Sequence, residues 1–165
     1  MIALKDRTRL TVLPAFYGGF MTRNLEKAVS ILNTENLTLA AVGEKGILKF
    51  TERGVKPLLA LVESGESLAG FSAADKVVGK AAAMLYVLLG VDGIYASVIS
   101  KPALAVLEKY GIYCEYGTLT DAIKDRTNTG FCPMETAVLS VETPAEALAK
   151  IRGKFAELQK NEKST

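Results

Sequence analysis

The chain contains no histidine and no tryptophan. Without an imidazole, Ser-His and Cys-His nucleophile pairs and zinc sites that need a histidine ligand are excluded. Its two cysteines, Cys114 and Cys132, are too few for a disulfide framework, so a reducing, cytoplasmic setting is expected. No run of about 18 uncharged apolar residues exists, so no segment is expected to span a membrane. An excess of either charge is also missing. Lys and Arg number 20 against 18 Asp and Glu, and the basic residues are scattered, which argues against a nucleic-acid or anionic-membrane partner.

What is present is a chain of 165 residues, 49% hydrophobic and 23% charged, long enough for one compact domain with a substantial core. Residues 1–21 read as an N-terminal arm or extension ahead of a single α/β domain over 22–160. Helical periodicity begins near Thr22, with Leu25, Val29 and Leu32 on one stripe, and stops at 33–36. Two short strands follow, LTLAAV (37–42) and GILKF (46–50), joined by Gly43-Glu44-Lys45-Gly46, a hairpin signal. A short helix carries Leu58, Leu59 and Leu61, with Pro57 in its first turn, and 63–70 reads as a connector.

The stretch 72–117 organises the rest. Ser72 has the character of an N-cap and Asp75 stands three residues later, so a helix is expected from Ala73, with Val77, Ala81, Leu85 and Leu88 on one face and Gly90 at its end. GIYASVIS (93–100) is rich in β-branched and apolar residues, as befits a strand covered on both faces. Ser100 and Pro102 open a second helix, 103–110, and IYCEY (112–116) makes the next strand. This strand-helix-strand spacing implies a parallel crossover, and the expected product is a three-layer α/β/α sandwich with a mixed sheet.

Two helix starts, at Ala73 and Lys101, should open on one edge of that sheet, where open α/β folds place ligands. Each start offers unpaired N–H groups and a partial positive charge. Asp75, Lys76, Lys80, Ser100 and Lys101 lie close by and are the candidate ligand-binding residues for an anion. The plainer alternatives are that Asp75 caps its own helix and the lysines form a solvated stripe.

Beyond 117, a short helix is expected at 119–124, followed by a turn-rich stretch over 125–130. In Cys132-Pro133-Met134-Glu135, Pro133 suits the first position of a helical turn and would put the Cys132 sulfur at a helix start, where thiolate is favoured. Cys132 and Glu135 are therefore the candidate catalytic residues; an inert buried cysteine is the alternative. TAVLSV (136–141) fits a strand or a helical turn. Thr143-Pro144-Ala145-Glu146 starts a final helix with a cap, Pro at N1 and Glu at N3.

The order helix, hairpin, helix, strand, helix, strand resembles the cytidine deaminase-like fold. In that superfamily the resemblance implies a His or Cys and then a Glu at the first helix start, and Pro-Cys-x-x-Cys at the second. Here Ala103 and Val106 stand at the two cysteine positions, and 72–76 holds no His, Cys or Glu. No zinc-activated water can be assembled, so neither a metal nor a cofactor is expected. The segments DKVVGKAAA (75–83), ISKPAL (99–104) and CPME (132–135) also resemble an uncharacterised domain-of-unknown-function family with this fold, over roughly residues 22–155. Three functions stand open: a binding domain for an anionic small molecule or nucleotide, a zinc-independent enzyme using Cys132, and a structural or partner-binding module. A homo-oligomer is open as well.

Overall fold

The computed structural model describes the backbone of residues 20–164, with side chains from residue 23 onward. The expected arm, 1–21, lies outside the described residues except for its last two, which are already helical. Element order is α1 (Phe20–Thr34), β1 (Leu39–Gly43), β2 (Gly46–Phe50), α2 (Lys56–Glu63), β3 (Ser72–Val78), α3 (Lys80–Leu89), β4 (Gly93–Ser100), α4 (Lys101–Lys109), β5 (Tyr113–Thr120), α5 (Pro133–Val138) and α6 (Pro144–Lys163). Among the described residues this is an α/β protein with a five-stranded mixed sheet and six helices.

The strands lie in the order β2-β1-β3-β4-β5. β1 pairs antiparallel with both β2 and β3, placing Leu39 opposite Phe50 on one side and Asp75 on the other. β3, β4 and β5 are parallel, with Ala73, Ile94 and Cys114 in register. Side chains alternate across this sheet. Ala40, Val42, Ala74 and Tyr95 face α1 and pack against Ala28 and Leu32. Leu39, Ala41, Ala73, Ile94, Ala96 and Cys114 face the other way, into the main core with residues of α2, α3, α4, α5 and α6.

The largest departure from the sequence reading is at 72–78, expected as the first two turns of a helix and observed as the central strand β3. Its alanines have little intrinsic strand preference, but pairing on both edges and burial on both faces override local propensity. Val77, Val78 and Gly79 carried the signal: two β-branched residues followed by a helix-breaking glycine. The helix begins only at Lys80, with Gly79 extended at its N-cap (φ −95°), and ends at Gly90, whose left-handed φ of 74° lets its N–H reach the Tyr86 and Val87 carbonyls. β5 also runs further than expected. The 118–120 segment continues the ladder with Val98, Ile99 and Ser100, displacing the short helix expected at 119–124. Past it, a bridge between Lys124 and Phe131 and an Asp125 carboxylate accepting the Thr127 and Thr129 N–H groups shape the turn. The first half of TAVLSV is helical, since α5 spans Pro133–Val138, and 139–140 form the turn that follows it.

Helix α3 is the core of the helical layer. Seven of its ten residues are buried, and its alanines let α3 sit close on the sheet while Leu85 and Leu89 fill the space beside α2, α4 and α6. Leu88, expected on the buried face, is 40% exposed, whereas Leu85 is 0% exposed. Leu85→Ala should therefore cost about 2–5 kcal/mol by leaving a cavity, while Leu88→Ala stays within about 0.5 kcal/mol of the parent. Urea unfolding midpoints of the two variants check this contrast.

Candidate functional site at the start of α3

The start of α3 is formed where β3 leaves the sheet at Val78 and turns through Gly79. Gly79 has no side chain to cap the helix, so the first N–H groups need an acceptor from elsewhere. Glu135, in the first turn of α5, supplies it. The Lys80 N–H donates to Glu135 Oε2 at 2.6 Å and the Ala81 N–H donates to Oε1 at 3.0 Å. The fit is close: a Cβ on Gly79 would lie 2.3 Å from Glu135 Oε1. α5 is held at its other end too, where Lys80 Nζ donates to the Leu139 carbonyl at 2.9 Å. Burial pushes the Glu135 carboxyl above its ordinary range, against the pull of the Ala81 and Lys80 N–H groups and the Lys80 charge.

The second helix start is satisfied from within. Ser100 is buried and its Oγ accepts the Ala103 N–H at 3.3 Å, while Pro102 brings no donor. Lys101 Nζ lies 2.6 Å from Asp121 Oδ1, both side chains being well exposed. The hydrogen bond between them holds Lys101 up and Asp121 down, but in such solvent the pair contributes little to stability.

Asp75 is not at a helix start. It lies on β3 beneath α3, where its Oδ2 accepts the Tyr86 hydroxyl at 2.7 Å and its Oδ1 accepts the Val77 N–H at 3.2 Å. Burial pushes its carboxyl up to about 7. Lys76, next along the strand, is exposed, and its N–H donates to the Thr38 carbonyl at 3.1 Å. Cys132 is half-buried at the N-cap of α5 and makes no side-chain cap bond; Glu135, which could have reached back to it, turns to α3 instead. Cys114 is buried in β5, and desolvation pushes its thiol up to about 12.

The structure thus brings Lys80 and Glu135 together, with Cys132 on the same short helix. It leaves Asp75 beneath α3, Lys76 on the strand surface, and Ser100 and Lys101 at the next helix. Gly79, Tyr86 and the Leu139 carbonyl complete these contacts and were absent from the sequence-level candidates. Val-Val-Gly before Lys80 was the signal for Gly79; nothing local announced the other two. Among the described residues no group of three or more His, Cys, Asp or Glu could hold a metal ion, and no helix is long and apolar enough to cross a membrane.

Loss of the carboxylate cap in Glu135→Ala should cost about 0.5–2 kcal/mol. Gly79→Ala should destabilise comparably, because its Cβ expels the Glu135 carboxylate. In the Glu135→Ala background, however, the same glycine change should cost close to nothing, since φ −95° suits any residue and the obstructing group is gone. A double-mutant cycle by urea unfolding measures this coupling.

Known proteins place these features in a family. A DUF1893 family protein from Thermotoga maritima, TM1506, has a crystal structure that superposes with a TM-score of 0.75 and 32% identity, covering 80% of this chain and 90% of that one. No curated protein matches. Residues 27–155 match the family described as TM1506: Domain of unknown function (DUF1893), in keeping with the resemblance carried by the GKAAA, SKPAL and CPME segments. With most of its length matched, this chain belongs to the DUF1893 domain-of-unknown-function family.

Proposed function

We propose that this protein is a metal-independent binding domain for a small anionic ligand, built on a cytidine deaminase-like fold, in which the Glu135 carboxylate occupies the ligand's place while no ligand is bound. The fold reading is supported by the strand order β2-β1-β3-β4-β5 and by α3 and α4 each following a parallel strand. The corrected helix start does not restore zinc chemistry: Gly79, Lys80, Ala81 and Ala82 offer no metal-ligating side chain, and Ala103 and Val106 still stand where that fold's cysteines would be. The two cysteines are free, which supports a reducing, cytoplasmic setting.

The observation that carries the ligand reading is the Glu135 carboxylate itself, seated on the Lys80 and Ala81 N–H groups in a recess that only a glycine at 79 leaves open. A recess that accepts one carboxylate has the donors and the room for another, or for a phosphate oxygen pair. Displacing the resident group forfeits the cap, about 0.5–2 kcal/mol, a loss that is partly offset. Burial disfavours its ionised form, so rotation into solvent regains hydration that the recess does not fully replace. α5 need not move, because Met134 and Val138 anchor it in the core. Lys80 then exchanges the Leu139 carbonyl for the ligand's charge.

Catalysis by Cys132 draws less support. Glu135 has both oxygens committed to α3, and the chain lacks any imidazole to activate the thiol.

Thermal unfolding with acetate, inorganic phosphate and a nucleoside monophosphate tests the proposal. An anion that binds only the folded chain raises the midpoint by RT ln(1 + [L]/Kd) in free energy, about 2.7 kcal/mol at a hundredfold excess over Kd. Wild type should respond to at least one of the anions. Glu135→Ala should respond to acetate and phosphate at lower concentration, and Lys80→Ala more weakly than wild type. A flat wild type with a responsive Glu135→Ala would make the carboxylate a permanent structural cap, and two flat responses would remove the anion site altogether.

A further inference from the structure

A second acidic group in this chain is independent of the ligand reading. Asp75 lies where β3, β1, β4 and α3 meet, opposite Leu39 on β1 and Ala96 on β4. Facing it from α3 is Tyr86, 0% exposed, with its hydroxyl donating to Oδ2 at 2.7 Å. The cations these elements carry are Lys76 on β3 and Lys80 at the start of α3, and the Lys80 ammonium is turned to the Leu139 carbonyl at 2.9 Å. α2, packed on α3, brings Leu58 and Leu59 inward, and its charged residues Lys56 and Glu63 pair with Glu52 and Arg152. Lys76 is exposed and alternates to the other face of the strand. A carboxyl in this position can stay neutral at little cost, but once ionised it is an uncompensated charge in an apolar layer. Asp75 keeps a partial exposure of its own, which gives protons a route in without restoring full hydration.

We infer that the buried Asp75 carboxyl is a proton-operated latch: neutral, it lets α3 seat on β3; ionised, it puts a charge beneath α3 whose loss of hydration loosens that seat, a cost the Tyr86 hydroxyl offsets only in part. The pair is well placed for such a role, because the rest of the inner face of α3 is largely alanine and contributes no polar link to β3. Burial lifts Asp75 from its ordinary value near 3.8 to about 7. The sign follows from the folded value lying above the unfolded one. The latch contribution is fully present below about 4, is lost progressively as pH rises through about 7, and is absent beyond it. Protonation near neutrality therefore couples to how firmly α3, and with it the Glu135 recess at its start, is seated.

Two measurements on the full chain test this. A carbon-13 titration of the Asp75 carboxyl should place its midpoint well above the ordinary aspartate range, and Tyr86→Phe, which removes the donor that favours the ionised form, should raise it further. Amide hydrogen exchange in α3, corrected for intrinsic base catalysis, should show protection falling between about pH 4 and 7 in wild type, by up to roughly a thousandfold for a carboxyl held at about 7 rather than 3.8. Asp75→Asn, neutral at every pH, should show no such fall. A wild-type midpoint near 3.8, or wild-type and Asp75→Asn protection curves that run parallel, would overturn the inference. The carboxyl titration and Tyr86→Phe decide the matter even where Asp75→Asn does not fold.

Discussion

The pairing of β3 on both edges is the constraint on which the rest of this structure depends. One edge takes the antiparallel strand β1 and so attaches the hairpin; the other takes the parallel strand β4 and so begins the two crossovers. Only small side chains suit that central position. Ala73 and Ala74, each 0% exposed, let α3 approach one face and α1 the other, and the turn at Gly79 then delivers α3 directly onto the sheet it has just left. Hydrophobic burial supplies most of the driving force for this arrangement, and the hydrogen-bond ladders fix its register.

Polar groups that enter this core are satisfied by the chain itself. Glu135 serves the first N–H groups of α3, the Ser100 hydroxyl serves α4, and the Tyr86 hydroxyl serves Asp75. An unmet donor at a buried helix start is expensive, and the Glu135 and Ser100 contacts remove that cost, while the Tyr86 contact satisfies a buried hydroxyl and carboxyl. They also bear on function. At the edge of the sheet where α3 and α4 start, these backbone donors already have acceptors. The anion binding proposed for this edge is therefore an exchange of one acceptor for another rather than the filling of an empty cradle. The acidic groups differ in kind: Glu135 faces N–H groups and a lysine, whereas Asp75 has a neutral hydroxyl and the Val77 and Lys76 N–H groups. Proton uptake is therefore more strongly coupled to structure at Asp75.

Much of the outline was legible from local residue chemistry. The hairpin turn at Gly43-Glu44-Lys45-Gly46, strand β4 over Gly93–Ser100, the end of α3 at Gly90, and the Thr143 cap with Pro144 behind it all follow from turn, strand and capping preferences that act within a few residues. The misreading of 72–78 has the same origin. A serine with an aspartate three residues on, ahead of a long apolar stretch, satisfies the local rule for a helix start, and nothing within that window reports that two other strands will pair with it.

Sequence alone therefore determined the α/β class, the alternation of strand and helix from 93 to 117, and the lack of any imidazole, and it picked out Lys80, Asp75 and Glu135 as candidates without their partners. The tertiary structure decided which of these residues meet. Glu135 is 55 positions from Lys80 along the chain, and Asp75 reaches Tyr86 only because β3 and α3 fold back on each other. The reason is physical: capping and turn preferences act over three or four residues, whereas partners for buried polar groups are chosen by how sheet and helices close over the core.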